Sequence, residues 1–223
     1  MTTKISGDSF RRAPGVLDQV LGQVNDALTI LSGNAVASRP NPAQVLTEEP
    51  GALNEQECAH AAGLMRVNHV GEICAQALYR GQAVFCKDPD VRQVLLEAAK
   101  EEVDHLAWCN ERIQELQSHR SYLNPFWYAG SFSLGVVAGL AGVSKNLGFM
   151  AETEKQVEQH LDSHLESLPV QDTVSRAIVA QMREEEIHHN HTAVAHGAEQ
   201  LPAPVRGAMR LMSKVMTTLA YKI

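Results

Sequence analysis

What the 223-residue chain lacks narrows its class before any motif is considered. It has four cysteines, Cys58, Cys74, Cys86 and Cys109, and none stands in a C-x-x-C pair. That argues against a disulfide framework, a zinc ribbon or a rubredoxin-type module, and the thiols read as reduced core residues in a reducing compartment. Strand-like alternation is missing at useful length, whereas apolar periodicity near 3.6 covers most of the chain, so the expected class is all-α. There is no basic excess. A formal charge of −7 argues against a nucleic-acid partner. The first residues lack the continuous apolar stretch of a secretory signal, and Asp8 and Asp18 suit a transit peptide poorly, so no cleaved leader is expected. No flavin, haem or iron–sulfur signature is present.

Two local absences stand out. Residues 121–144 carry no charge, and no acid follows Glu199. The uncharged run is long enough for a bilayer, but Gly130, Gly135, Gly139 and Gly142 dilute it and its aromatics gather at one end, as in an interfacial segment. A fully buried bundle helix is the alternative, and Gly135, Gly139 and Gly142 read as small residues for close packing. The last stretch, 205–223, places Met209, Met212, Met216, Leu219 and Ile223 on one stripe and Arg206, Arg210 and Lys214 on another, the pattern of a membrane-surface helix or of a helix that fills a partner's groove.

The remaining periodicity predicts an amphipathic helix over 16–31, a Pro/Gly-rich linker over 32–51, and helices over 53–86, 89–116, a stretch around Glu154 ending near Pro169, and 172–199. The N-terminal helix and linker are expected to occupy 1–51, with one bundle domain over 52–223.

Chemistry concentrates in repeated acid–imidazole units. Glu-x-x-His puts both groups on one helical face. Roughly one such pair is expected by chance from this composition, and the chain holds four: Glu57/His60, Glu102/His105, Glu185/His188 and Glu186/His189. Glu57/His60 lies about 22 Å along the helix from Glu72, too far to share a site with it. Single acids complete a repeat, Glu72 standing 30 residues before Glu102 and Glu154 standing 31 before Glu185. Around Glu72 the helical face reads Met65, Asn68, Ala75, Tyr79; around Glu102, Leu95, Ala98, His105, Cys109; around Glu154, Leu147, Met150, Val157, Leu161. Each acid is centred on an apolar stripe. The stripe through Val174, Ile178, Gln181, Glu185, His188 and Thr192 is less clean, and periodicity leaves Glu186/His189 open beside it.

Glu, then Glu-x-x-His, twice over four helices, is the ligand pattern of the ferritin-like dinuclear carboxylate bundles. Four ionised carboxylates inside an apolar bundle cost several kcal/mol each. Two divalent cations with two neutral imidazoles cancel the charge, and oxygen and nitrogen donors without thiolate suit iron or manganese. His160, less than two turns past Glu154, is expected to support the ligands.

The stretches Arg66-Val67-Asn68-His69-Val70-Gly71-Glu72, Glu101-Glu102-Val103-Asp104-His105, Pro125-Phe126-Trp127 and Arg183-Glu184-Glu185-Glu186-Ile187-His188-His189 resemble the demethoxyubiquinone hydroxylases of ubiquinone biosynthesis. The resemblance implies a ferritin-like four-helix bundle with extra membrane-facing helices. It implies two Fe ions, ferrous when reduced, on Glu72, Glu102, His105, Glu154, Glu185 and His188, choosing Glu185/His188 over Glu186/His189. In this reading Glu72 and Glu154 are the bridging or shifting carboxylates and the two histidines are terminal. The implied reaction is O2-dependent hydroxylation of a demethoxylated polyprenyl benzoquinol, with electrons from NADH or from the reduced ring itself. The implied location is peripheral, on the cytoplasmic face of the cell membrane, in a form compatible with a homo-oligomer. Iron storage or detoxification, or another di-metal oxidase, is the alternative that the same ligands allow.

Overall fold

A computed structural model describes residues 16–47 and 51–223. Residues 1–15, which bear on the leader reading, and Pro50 lie outside them, as do the side chains of Val16, Leu17, Gln19 and Val20. The described residues form seven helices and no strand: α1 (Val16–Ser32), α2 (Glu55–Val84), α3 (Pro89–Glu115), α4 (Asn124–Leu140), α5 (Val143–Ser167), α6 (Thr173–Ala195) and α7 (Ala203–Lys222), with a 3-10 turn at Pro42–Val45.

The helix starts have local causes. Asn54 accepts the Glu57 N–H while the Glu57 carboxylate accepts the Asn54 N–H, a capping box of about 1 kcal/mol. Glu57 therefore caps α2, which accounts for the stray Glu57/His60 pair. Asp88 caps α3 through the Asp90 and Val91 N–H groups, ahead of Pro89. Asp172 caps α6 through Ser175 and is itself held by Arg112.

Short connections pair α2 with α3 and α5 with α6 into two hairpins, and these four helices form the bundle. The acids of α2, α3 and α5 lie on buried stripes as expected: Met65, Glu72 and Tyr79; Leu95, Glu102 and Cys109; Leu147, Glu154 and Leu161. Between the hairpins α4 packs along α2, and α7 returns across α2 and α5.

The uncharged run is not one helix. It stops at Ala141, and Gly142 takes a φ of +97° that a side chain would strain, after which α5 begins. The 17 residues of α4 extend about 25 Å, short of the roughly 30 Å of a bilayer core; no described helix is long and apolar enough to cross a membrane.

The N-terminal region departs from expectation in two ways. Helix α1 buries Ile30, with Ala27 and Leu31 beside it, while Leu21, Val24 and Leu28 of the predicted apolar side are exposed. The 32–51 segment is not a free linker where it is described: Ser38 and Arg39 bond to α3 and α6, and Asn41 donates to Glu111.

His69 on α2 is fully buried, and neither ring nitrogen has a hydrogen-bond partner. Burial, helped by the charge of Arg120, lowers its pKa from 6.5 to about 3. Below pH 6.5 the unfolded chain takes up a proton that the folded chain refuses, so this contribution to stability is complete above pH 6.5 and is lost as pH falls toward 3. Relative to wild type, His69→Leu should gain unfolding free energy as pH falls through 6.5, with a slope that approaches about 1.4 kcal/mol per pH unit near pH 5. Urea denaturation at several pH values reads this difference, and a constant difference would mean that His69 titrates normally.

Candidate metal centre

Six buried side chains converge where the four bundle helices face one another. Glu72 of α2, Glu102 and His105 of α3 and Glu186 of α6 offer one ligand atom each, all within 4.8 Å of one another. Glu102, Glu154 of α5, Glu186 and His189 of α6 form a second such group. Glu102 and Glu186 belong to both, so they are the shared carboxylates, and Glu72 and Glu154 are the outer ones. The expectation placed Glu72 and Glu154 as the shared pair; in this geometry Glu102 and Glu186 are the acids that would be shared by two ions. The side chains are at most 5 % exposed.

The structure corrects the register on α6. Its buried stripe is Ile178, Met182, Glu186, His189 and Ala193, all at most 4 % exposed. One residue on a helix is a turn of 100°, so Glu185 and His188 point elsewhere. His188 is exposed and lines a polar groove with Ser38, Lys100 and Glu184. Glu185 instead holds the far nitrogen of His105, with Nε2 2.7 Å from its Oε2. Because a carboxylate only accepts, both ring nitrogens donate here, Nε2 to Glu185 and Nδ1, 2.8 Å away, to Glu102; with a metal in place of the Nδ1 proton, the Glu185 contact would keep the remaining proton on Nε2. The other half repeats the device: His189 Nε2 is 2.9 Å from Glu101, and its Nδ1 faces Glu102, Glu154 and Glu186 at 3.4–3.6 Å.

The electrostatics divide the acids into two kinds. Burial raises the Glu72 and Glu154 carboxyls well above the usual range, and the nearby charge of Glu186 adds to it. Burial also opposes ionisation of Glu102 and Glu186, but the imidazoles of His105 and His189 outweigh it and hold both carboxyls low. The same pairings raise His105 and His189 against their burial. Tyr79 donates to Glu154 Oε1, and burial with that neighbouring charge holds its phenol well above its ordinary pKa.

The residues fit a pair of divalent ions. Glu102 Oε1, Glu154 Oε2, Glu186 Oε2 and His189 Nδ1 are buried with no hydrogen-bond partner, although such atoms cost about 1–3 kcal/mol each when left unpaired. Four carboxylates balance two 2+ charges, and the donors are oxygen and imidazole nitrogen. Cys109, the nearest thiol on α3, is directed at Met182 Sδ.

Beside the cluster runs a mainly apolar cavity of about 190 Å³, reaching from Glu72 to the space between α4 and α7. Asn68, Trp127, Phe149, His160 and Met212 are among its walls. His160 thus borders the cavity, with its ring 3.9 Å from that of His164, and makes no bond to Glu154.

Two single acids and two Glu-x-x-His units meeting inside a four-helix bundle define the ferritin-like dinuclear carboxylate class. Comparison with known families narrows this. The model of the family described as ubiquinone biosynthesis protein COQ7 matches residues 59–220, and the chain belongs to that family. A Bordetella parapertussis protein named 3-demethoxyubiquinol 3-hydroxylase is 62 % identical over 221 residues, 99 % of each chain. Proteins of the same name from Ralstonia pickettii and Polynucleobacter asymbioticus are 55 % and 53 % identical, each over 93 % of this chain and covering 100 % and 99 % of the relative.

Sequence reasoning missed Tyr79, Glu101, Asp104 and Arg39 as partners of the centre. Tyr79 stood on the stripe through Glu72, two turns on, and Glu101 and Asp104 flank ligand candidates. Arg39 carried no signal, being 146 residues from the carboxylate it grips.

Proposed function

We propose that this chain hydroxylates the ring of a 3-demethoxyubiquinol as a di-iron monooxygenase, with the iron on Glu72, Glu102, His105, Glu154, Glu186 and His189. The observation that carries this reading is the cavity: an apolar slot that ends on Glu72 and opens between α4 and α7. When bound, ferrous iron supplies the electrons and the activated oxygen that convert an aromatic C–H to C–OH, using O2 and an external reductant such as NADH, or the quinol itself.

The chain's own residues do the rest. Trp127 and Phe149 offer flat apolar walls that keep water away and orient a ring, while the polar ends of Asn68 and His160 face it with hydrogen-bonding atoms that have no oxygen or nitrogen partner. Tyr79 restrains Glu154 from the far side of the cluster. Glu185 and Glu101 hold the two imidazoles in the tautomer that aims Nδ1 inward. The cavity mouth supports a peripheral position on the cytoplasmic membrane face. Phe126, Val137 and Leu140 of α4 and Leu211, Met212, Val215 and Leu219 of α7 are exposed apolar groups on the two helices that frame it. A polyprenyl tail leaving there passes directly into lipid, and Arg206, Arg210 and Lys214 of α7 add about 1 kcal/mol each on an anionic surface.

One bacterial strain lacking the hydroxylation step tests both parts. Expression should convert accumulated demethoxyubiquinone to ubiquinone with ¹⁸O from O2 in the new ring oxygen, and the protein should sediment with membranes until high salt releases it. A restored product without label would reject the monooxygenase chemistry. No restoration by iron-loaded protein would favour storage of iron instead, and retention through salt and carbonate washes would reject a surface position.

A further inference from the structure

The two imidazoles of the centre have matching partners but unequal surroundings. Glu101, which holds His189, is 44 % exposed, and among the described residues no guanidinium is bonded to it. Glu185, which holds His105, is 13 % exposed and sits in a closed network. Arg39 grips it with both terminal nitrogens, Nη1 to Oε1 at 2.7 Å and Nη2 to Oε2 at 2.8 Å, and Gln181 donates to Oε1 at 2.6 Å. The same guanidinium gives its Nε to Asp104, the buried neighbour of His105, at 2.5 Å. Asp104 also accepts the Ser38 N–H at 2.6 Å and the Ser38 hydroxyl at 3.2 Å. The plane of Arg39 lies over Trp108, 5.2 Å from its ring centre, and that ring is 5.5 Å from His105. One side chain thus ties α3 to α6 around a single histidine, in the two-pronged geometry that only arginine provides.

From this asymmetry we infer that Arg39 is a positioning residue for His105, and that it makes the position formed by Glu72, Glu102, His105 and Glu186 the tighter of two metal positions. The inference rests on the reading of the cluster as a two-metal centre. Its physical basis is the loss of freedom in the imidazole before metal arrives: a ligand already fixed in direction loses less entropy on binding, and removal of such outer partners lowers affinity roughly 10- to 100-fold. His189, anchored only to an exposed carboxylate, lacks that restraint. The segment carrying Arg39 lies outside residues 59–220, so part of the centre's support comes from beyond the span that the family model matches.

Titration of the full-length, metal-stripped protein with Co(II), followed by its visible absorption and by calorimetry, tests this apart from turnover. Wild type should take up two ions in two resolved steps. Arg39→Ala should weaken the tighter step about 10- to 100-fold and leave the weaker one within about threefold. Arg39→Lys, which keeps the charge but loses the fork, should recover little of that affinity. Glu101→Gln, on the exposed side, should weaken the second step alone, and it tests the asymmetry even where an Arg39 variant folds poorly. Two equal steps in wild type, a parallel fall of both steps in Arg39→Ala, or a Glu101→Gln effect on the tighter step would each overturn the inference while leaving the centre itself in place. No Co(II) uptake by wild type would overturn the two-metal reading with it.

Discussion

Glu186→Ala is expected to remove bound iron and hydroxylase turnover, whereas Glu185→Ala, one residue away, leaves a weakened but metal-binding protein. Glu186 offers oxygens to both ligand groups, so its loss strips a donor from each position and leaves three buried acids facing two imidazoles. Glu185 touches the cluster only through His105 Nε2, and loss of such an outer partner lowers affinity or activity about 10- to 100-fold. The Glu186 variant should fall beyond that range. His189→Ala against His188→Ala repeats the contrast more sharply, because His188 is an exposed groove residue whose removal should change neither quantity. Iron content of protein purified in mild detergent, with quinol turnover on the same samples, decides the register. Equal losses from Glu185→Ala and Glu186→Ala would mean that α6 turns differently in the metal-loaded protein. Metal should also raise the melting temperature: about 4 kcal/mol at a thousandfold excess over Kd corresponds to the order of 10 °C for a chain of this size.

The second large effect lies in the packing of α4 on α2, where backbone meets backbone. A methyl group at Gly135 would stand 2.1 Å from the Leu78 carbonyl oxygen and 3.0 Å from the Gln82 nitrogen. One at Gly81 would meet the Phe132 carbonyl at 2.3 Å, and one at Gly139 the Gln82 carbonyl at 2.6 Å. No rotamer change relieves these contacts, since the obstructing atoms belong to a neighbouring helix axis. Gly135→Ala should therefore destabilise the protein by about 3 kcal/mol or more despite alanine's better helix propensity, a fall in melting temperature of the order of 10 °C. The matched control is Gly130→Ala on the same helix, where nothing lies within 4 Å of the added carbon; propensity alone should stabilise it by up to about 1 kcal/mol. Because Leu78 and Leu134 of this interface also line the cavity, Gly135→Ala should raise the KM for quinol as well. Equal melting temperatures for the two variants would show that α4 can move away from α2 at little cost.

Much of this was legible in the residues. Centred acids on three apolar stripes located Glu72, Glu102 and Glu154 in the core, and the structure buries all three. Gly135, Gly139 and Gly142 were readable as close-packing residues; Gly135 and Gly139 are, whereas Gly142 has open space around it and serves the turn into α5 through its positive φ. On α6 the signal was present but misjudged. The stripe through Met182, Glu186 and Ala193 is more apolar than the one through Gln181, Glu185 and Thr192, and that difference alone favours Glu186/His189. Two overlapping Glu-x-x-His units obscured it, since motif spacing is identical in both and only the surrounding face differs.

The sequence by itself determined the class of the protein, an all-helical bundle carrying two acid–imidazole half-sites, because helical periodicity and i, i+3 spacing are local properties that need no partner to be read. Which of two adjacent pairs faces inward, which carboxylates are shared, and where the cavity opens were decided only by tertiary structure. The rotation of α6 follows from Ile178, Val179 and Met182 sharing one core cluster with Ile113 of α3, Leu161 of α5 and Leu168 just beyond it. Arg39 is the extreme case. Nothing near it in the chain marks it, and its place beside Glu185 and Asp104 exists because a proline-rich segment folds back across α3 and α6. Contacts of that kind depend on which surfaces meet, and a one-dimensional pattern carries no record of the meeting.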